Sequence, residues 1–130
     1  MPSPVIHHVG LSVRDIETST DWYVRLFGLT VVAEMTEPAP MVVLMSPQGQ
    51  AIDLREDPDV GPDRFTQTYA GLDHVGFVVA DRAELDAWEQ LLVQEGVERS
   101  EIAESPFGWH LNFRDPDGIP LEFFLPRQSA

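Results

Sequence analysis

"IHHVGLSVRD" runs from Ile6 to Asp15, and "LDHVGFVVAD" runs from Leu72 to Asp81. Each has a histidine followed by Val-Gly and an apolar run that stops at an aspartate. His74 falls on His8, Gly76 on Gly10, Asp81 on Asp15 and Trp88 on Trp22, all at an offset of 66 residues. Further along, "MVVLMSPQGQAIDL" (Met41–Leu54) lies over "HLNFRDPDGIPLEF" (His110–Phe123) at an offset of 69, so that Pro47 meets Pro116, Gly49 meets Gly118 and Asp53 meets Glu122. One insertion of three residues accounts for the change of offset. Such a repeat is one supersecondary unit written twice, and it restricts the chain to folds made of two like halves.

Each unit reads β-α-β-β-β, which predicts an α+β fold. The first strand spans about Val5–Val13, rich in apolar and β-branched residues. Asp15 is the expected N-cap of a helix over about 15–27, with Ile16, Ser19, Trp22 and Leu26 on one face and Gly28 at its end. In the second unit Asp81 caps a helix over about 81–95, and Glu84 completes a capping box. Its apolar face is Leu85, Trp88, Leu91 and Leu92. Three short strands follow each helix, at about Thr30–Met35, Met41–Met45 and Ala51–Arg55, then Glu98–Ala103, Trp109–Arg114 and Leu121–Leu125. "SPQGQ" and "DPDGI" have the Pro and Gly of tight turns between the last two strands. The reading is a single domain over 1–130, made of repeat 1 (about 4–56) and repeat 2 (about 72–126) with a linker at 57–71. "EDPDVGPDR" opens that join and is rich in turn formers.

Side chains alternate across a strand. Val9, Leu11 and Val13 share one face and His8, Gly10 and Ser12 the other; Val75, Phe77 and Val79 likewise oppose His74, Gly76 and Val78. The greasier rows are expected against each unit's own helix. By the same alternation Glu122, Asp53, His110 and Asn112 join the histidine face, which lines the open side of a curved, cup-shaped mixed sheet if the units pair edge to edge. Two imidazoles with one or two carboxylates form a ligand set for a divalent cation, and two histidines with one carboxylate also suit non-haem iron.

Composition narrows the chemistry. There is no cysteine, and all eight basic residues are arginines. Disulfides, thiolate nucleophiles, Cys-bound zinc and lysine Schiff bases are therefore excluded. The formal net charge of −14 argues against a nucleic-acid partner, whose phosphates need a basic surface. It also favours solubility and the approach of a cationic ligand. No apolar run approaches the ~20 residues of a membrane span, and the first residues show no signal-peptide pattern. The expected location is cytoplasmic.

With "HHVGLSVRDIETSTDWYVRLFGL", "LDHVGFVVAD" and "FRDPDGIPLEFF", the sequence resembles the vicinal-oxygen-chelate superfamily over nearly its whole length. That group includes glyoxalase I, extradiol dioxygenases, methylmalonyl-CoA epimerase, fosfomycin-resistance enzymes and bleomycin-binding proteins. The resemblance implies a metal ligand at the histidine of each first strand and at the acid after "DPDG". Here these are His8, His74 and Glu122. A fourth ligand is implied at Asp53, where glyoxalase I has Glu and the epimerase Gln; the shorter Asp reaches the metal less well, holds it through water, or acts as a base. Asn112 occupies the place where an extradiol dioxygenase is expected to carry a catalytic tyrosine.

These residues imply an enzyme acting on a small molecule that binds one divalent ion through neighbouring oxygens. The ion (iron, zinc, nickel, manganese or cobalt) is not specified. Glu122, Asp53 and His110 are the candidates for moving a proton. Lyase or isomerase chemistry of the glyoxalase kind fits the four-donor pattern, with ring-cleaving dioxygenation as the other enzymatic reading. The alternative outside enzymology is a protein that sequesters an antibiotic such as bleomycin, suited by the acidic chain. A homodimer is expected, since a βαβββ unit leaves strand edges open to association; the resemblance implies that units pair either inside one chain or across two.

Overall fold

The computed structural model describes residues 1–128. They form two compact units, Met1–Asp63 and Arg64 onward, each a four-stranded mixed sheet with one helix. The α+β class and the doubled βαβββ plan are those expected. The strands form two sheets, one per unit, where a single continuous sheet was one expectation.

In the first unit the elements are β1 (His8–Ser12), α1 (Ile16–Phe27), β2 (Thr30–Met35), β3 (Met41–Met45) and β4 (Ala51–Arg55), in sheet order β1-β4-β3-β2. β1 and β4 are parallel, and the other pairs are antiparallel. β1 is shorter than expected: Val5 and Ile6 lie outside it, 89% and 81% exposed. Asp15 caps α1 by accepting from the Thr18 N–H at 3.0 Å, and the Gly28 N–H closes the helix on the Val24 carbonyl. The buried face is Ser19, Tyr23 and Leu26. Tyr23, fully buried, takes the core position expected of Trp22, which is half-buried and meets Tyr23 and Phe27 edge-on. The spacing i, i+4, i+7 from Ser19 explains this, because it places Tyr23 and not Trp22 over the sheet.

In the second unit the elements are β5 (Val75–Val78), α2 (Arg82–Gln94), β6 (Ala103–Ser105), β7 (Gly108–Arg114) and β8 (Pro120–Pro126), in order β5-β8-β7-β6. Asp81 caps α2 through the Glu84 N–H, and the Glu84 carboxylate returns to the Ala80 N–H. Leu85 and Leu92 are fully buried, and Trp88 stacks on Phe123 at 4.3 Å. Phe123 stacks in turn on Phe113 at 4.9 Å.

The second strand of this unit, β6, is displaced from the expected Glu98–Ala103. Arg99 bridges to Phe113, but regular pairing begins only at Ala103–His110, one residue out of register with that bridge. One extra residue on this side makes a β-bulge. β2 slips in the same way between Val31 and Ala33. Both units therefore bulge on the edge strand, at matching places of the repeat.

The turns before β4 and β8 position the acids. Asp115, buried, accepts from the Asp117 and Ile119 N–H groups at 2.9 and 2.8 Å. In the first unit Ser46 Oγ accepts from the Gln50 N–H at 3.0 Å. A short oxygen side chain that bonds its own downstream backbone makes the chain reverse within a few residues.

Candidate functional site

The two units place one histidine and one acid in the same way. Gly10 pairs with Asp53 in the β1–β4 ladder, and Gly76 pairs with Glu122 in the β5–β8 ladder. His8 and His74 each stand two residues before that glycine, so they lie diagonally across from the acid on the same sheet face. His8 Nε2 is 3.5 Å from Asp53 Oδ2, and His74 Nε2 is 3.3 Å from Glu122 Oε2. The greasy rows face inward as expected: Leu11, Val13 and Val79 are buried, while His8 and His74 are exposed.

In both units the other ring nitrogen is held by the preceding residue. His74 Nδ1 meets Asp73 Oδ2 at 2.7 Å, and His8 Nδ1 meets His7 Nδ1 at 3.0 Å. Each ring is thereby turned so that Nε2 addresses the acid. A metal-binding imidazole commonly has its second nitrogen held in this manner.

The second unit adds a partner that the first lacks. His110 Nδ1 is 2.9 Å from Glu122 Oε1, and His110 Nε2 is 2.6 Å from Ser105 Oγ. Glu122 is thus engaged at both oxygens, with its side chain 12% exposed. The matching residue of the first unit is Met41, so Asp53 has only His8 as a polar partner among the described residues. Asn112 pairs directly with Glu122 in the β7–β8 ladder and is exposed.

His8 is thus brought to Asp53, and His74 and His110 to Glu122. Among the described residues no group of three or more His, Asp or Glu side chains gathers around one ion position. The donor types, imidazole nitrogen and carboxylate oxygen, are nevertheless those of divalent-cation sites. Two atoms each ~2.1 Å from an ion at a tetrahedral angle stand about 3.4 Å apart. The two Nε2–carboxylate separations, 3.3 and 3.5 Å, bracket that spacing and exceed the usual hydrogen-bond range. Asp73 and Ser105 escaped the sequence reading. A polar residue before each histidine was a visible signal for Asp73; nothing in the pattern marked Ser105.

The family model of the Glyoxalase/Bleomycin resistance protein/Dioxygenase superfamily matches residues 5–123, and the chain belongs to that superfamily. It is similar to the crystal structure of a glyoxylase/bleomycin resistance protein/dioxygenase domain from Frankia sp. EAN1pec. The two are 35% identical with a TM-score of 0.90, over 97% of this chain and 100% of that one. It is 34% identical to the uncharacterized protein YwkD of Bacillus subtilis (strain 168), over 92% of this chain and 94% of YwkD. The putative ring-cleaving dioxygenase MhqA of the same organism is 32% identical over 88% of this chain, which spans only 37% of MhqA's length.

Proposed function

We propose that the chain is a divalent-metal-dependent enzyme in which His8, His74 and Glu122 are metal ligands and Asp53 accepts a proton from a small-molecule substrate. The observation that supports this most is the repeated pair: a histidine whose Nε2 faces an acid at 3.3–3.5 Å in both units, Asp53 in the first and Glu122 in the second. When bound, a divalent ion supplies Lewis-acid stabilisation of charge developing on substrate oxygens. Asp73 orients His74. His110 and His74 hold Glu122 between them, so its carboxylate is fixed for ligation and poorly placed to carry a proton away. Asp53 has one oxygen against His8 and the other without a partner among the described residues, which suits a base. Proton removal and return of the lyase or isomerase kind needs no more than this.

The likeness to MhqA favours a second reading, ring cleavage by dioxygen. Asn112 counts against it, because its amide replaces the acid–base hydroxyl that this chemistry is expected to use beside the ion.

Elemental analysis of protein purified without chelator tests the proposal. The expected result is a stoichiometric divalent metal, reduced tenfold or more by Ala at His8, His74 or Glu122 and retained in Asp53→Ala. Full occupancy in all three ligand variants overturns the assignment. Oxygen consumption with catechol and ferrous iron replaces the isomerase reading by ring cleavage. A metal-free protein that binds bleomycin tightly replaces enzymology by sequestration.

A further inference from the structure

We propose that a cavity within the second unit, beside His74, is a subsite for an organic carboxylate, with Arg114 as its anchor. The inference rests on the reading of His74 and Glu122 as the reacting site only for where the rest of the substrate lies. The cavity is about 400 Å³, within the range of ligand pockets. Its walls include Gln67, His74, Arg99, Asn112 and Arg114. Asn112 and Arg114 share the β7 face that carries His110, so the cavity opens on the same side of the sheet as Glu122.

Arg114 differs from most of the chain's eight arginines in its surroundings. Arg25, Arg55, Arg64, Arg82, Arg99 and Arg127 each have a carboxylate within 4 Å. Arg114 has none among the described residues. Its Nη1 donates to Gln67 Oε1 at 3.3 Å and to the Gly118 carbonyl at 3.0 Å, both neutral acceptors. Its Nε and Nη2 have no protein acceptor among the described residues. In a chain with 22 acidic and eight basic residues, this is not for want of carboxylates. The acids on the cavity wall are already taken, Asp73 by His74 at 2.7 Å and Glu98 by Arg64 at 2.9 Å.

A guanidinium held through one nitrogen and open along Nε and Nη2 presents the fork that takes a carboxylate by two parallel hydrogen bonds. The Gln67 and Gly118 contacts fix the fork before a ligand arrives. The net charge of −14 opposes an anion at long range, but salt screens that field beyond about 8 Å under physiological conditions. Contact with Arg114, with Arg99 on the same wall, then decides which ligands stay.

The test uses the full chain labelled with ¹⁵N-arginine, and benzoate as the probe with benzamide as its neutral isostere. The Arg114 Nε–H resonance is identified by its loss in Arg114→Gln. The expected result is a saturable benzoate shift of that resonance, no shift with benzamide, and binding at least tenfold weaker in Arg114→Gln. Arg114→Lys keeps the charge without the fork and should fall between the two. Equal responses to benzoate and benzamide in the unmodified chain overturn the subsite, as does a benzoate shift confined to other arginines. Titration of the metal-free and zinc-loaded forms separates the two readings. If no preparation holds metal while the Arg114 response stands, the metal assignment fails alone. If metal binds normally and Arg114 does not respond, the subsite fails alone.

Discussion

His110 joins Glu122 on one side and Ser105 on the other, at 2.9 and 2.6 Å, and this chain of contacts sets which way the acid points. Replacing Ser105 by Ala frees one end of the imidazole, and replacing His110 by Ala frees Glu122 Oε1. Each is expected to lower zinc affinity by about 10–100-fold, as loss of an outer partner does elsewhere, with His110→Ala the larger effect. Competition against a fluorescent chelator measures it, and unchanged affinity in both variants removes His110 from any role in holding the acid. The ligand candidates His8, His74, Asp53 and Glu122 were legible in the sequence because repeat and strand parity both mark them. Ser105 was not, since its role depends on a side-chain rotamer that no spacing encodes, and Asp73 had only its place before the histidine to mark it. Gly108 carries a different kind of information. It sits at φ +150°, and a Cβ there would run into the Leu125 carbonyl of the neighbouring strand. Backbone cannot yield as a side-chain tip can. At Gly118, φ +79°, the nearest atoms to a Cβ would be those of the Arg64 guanidinium, 2.7 Å away at its Nε. Gly108→Ala is therefore expected to destabilise the chain more than Gly118→Ala, which chemical denaturation of the two variants compares directly.

At the scale of elements, the helices were read within a residue or so because their ends are written chemically: Asp15 and Asp81 cap, and Gly28 and Gly96 follow the last turns. The strands near the site were legible by alternation. The bulges were not. β2 and the stretch before β6 each take up one extra residue with no glycine or proline to announce it, so pairing geometry and not local propensity decides where β6 begins. The Asp15 cap has a pH signature. The Thr18 N–H holds its carboxyl below the ordinary value of 3.8. A lowered folded-state value means the contribution is complete above the unfolded-state value and disappears as pH falls through the folded one. The window thus lies at and below 3.8. Asp15→Asn keeps an acceptor for Thr18 but cannot titrate, so between neutral pH and about pH 3 it should lose less stability than the unmodified chain. Urea unfolding at both pH values checks the sign, and parallel losses contradict it. Beside the buried Leu85 and Leu92, α2 meets its sheet through Trp88 stacked on Phe123, which is 3% exposed and stacks also with Phe113. Phe123→Ala should cost about 3–5 kcal/mol, a large share of the 5–15 kcal/mol typical of a domain.

At the scale of the whole molecule, two opposing features bear on whether copies of the chain associate. β2 lies at the edge of its sheet, all six of its residues are exposed, and Val31, Val32 and Met35 among them are large and apolar. Unpaired strand edges with apolar side chains are ready surfaces for a second chain. The charge of −14 works against this, because bringing two copies together concentrates like charge. Contact apolar burial does not depend on ionic strength in the same way, whereas the repulsion is screened over roughly 8–10 Å at 0.1–0.15 M salt. The expected outcome is a homodimer at physiological salt that loosens as salt is removed. Val32→Glu adds a charge to the edge and should shift the equilibrium toward monomer without changing the helical signal in circular dichroism. Light scattering at micromolar concentration across a salt series reads both effects together. A monomer mass at every salt concentration refutes the dimer. A dimer equally stable with Val32→Glu moves the interface away from β2 and leaves that edge to be explained by its bulge, which twists exposed strands out of a shape that can pair.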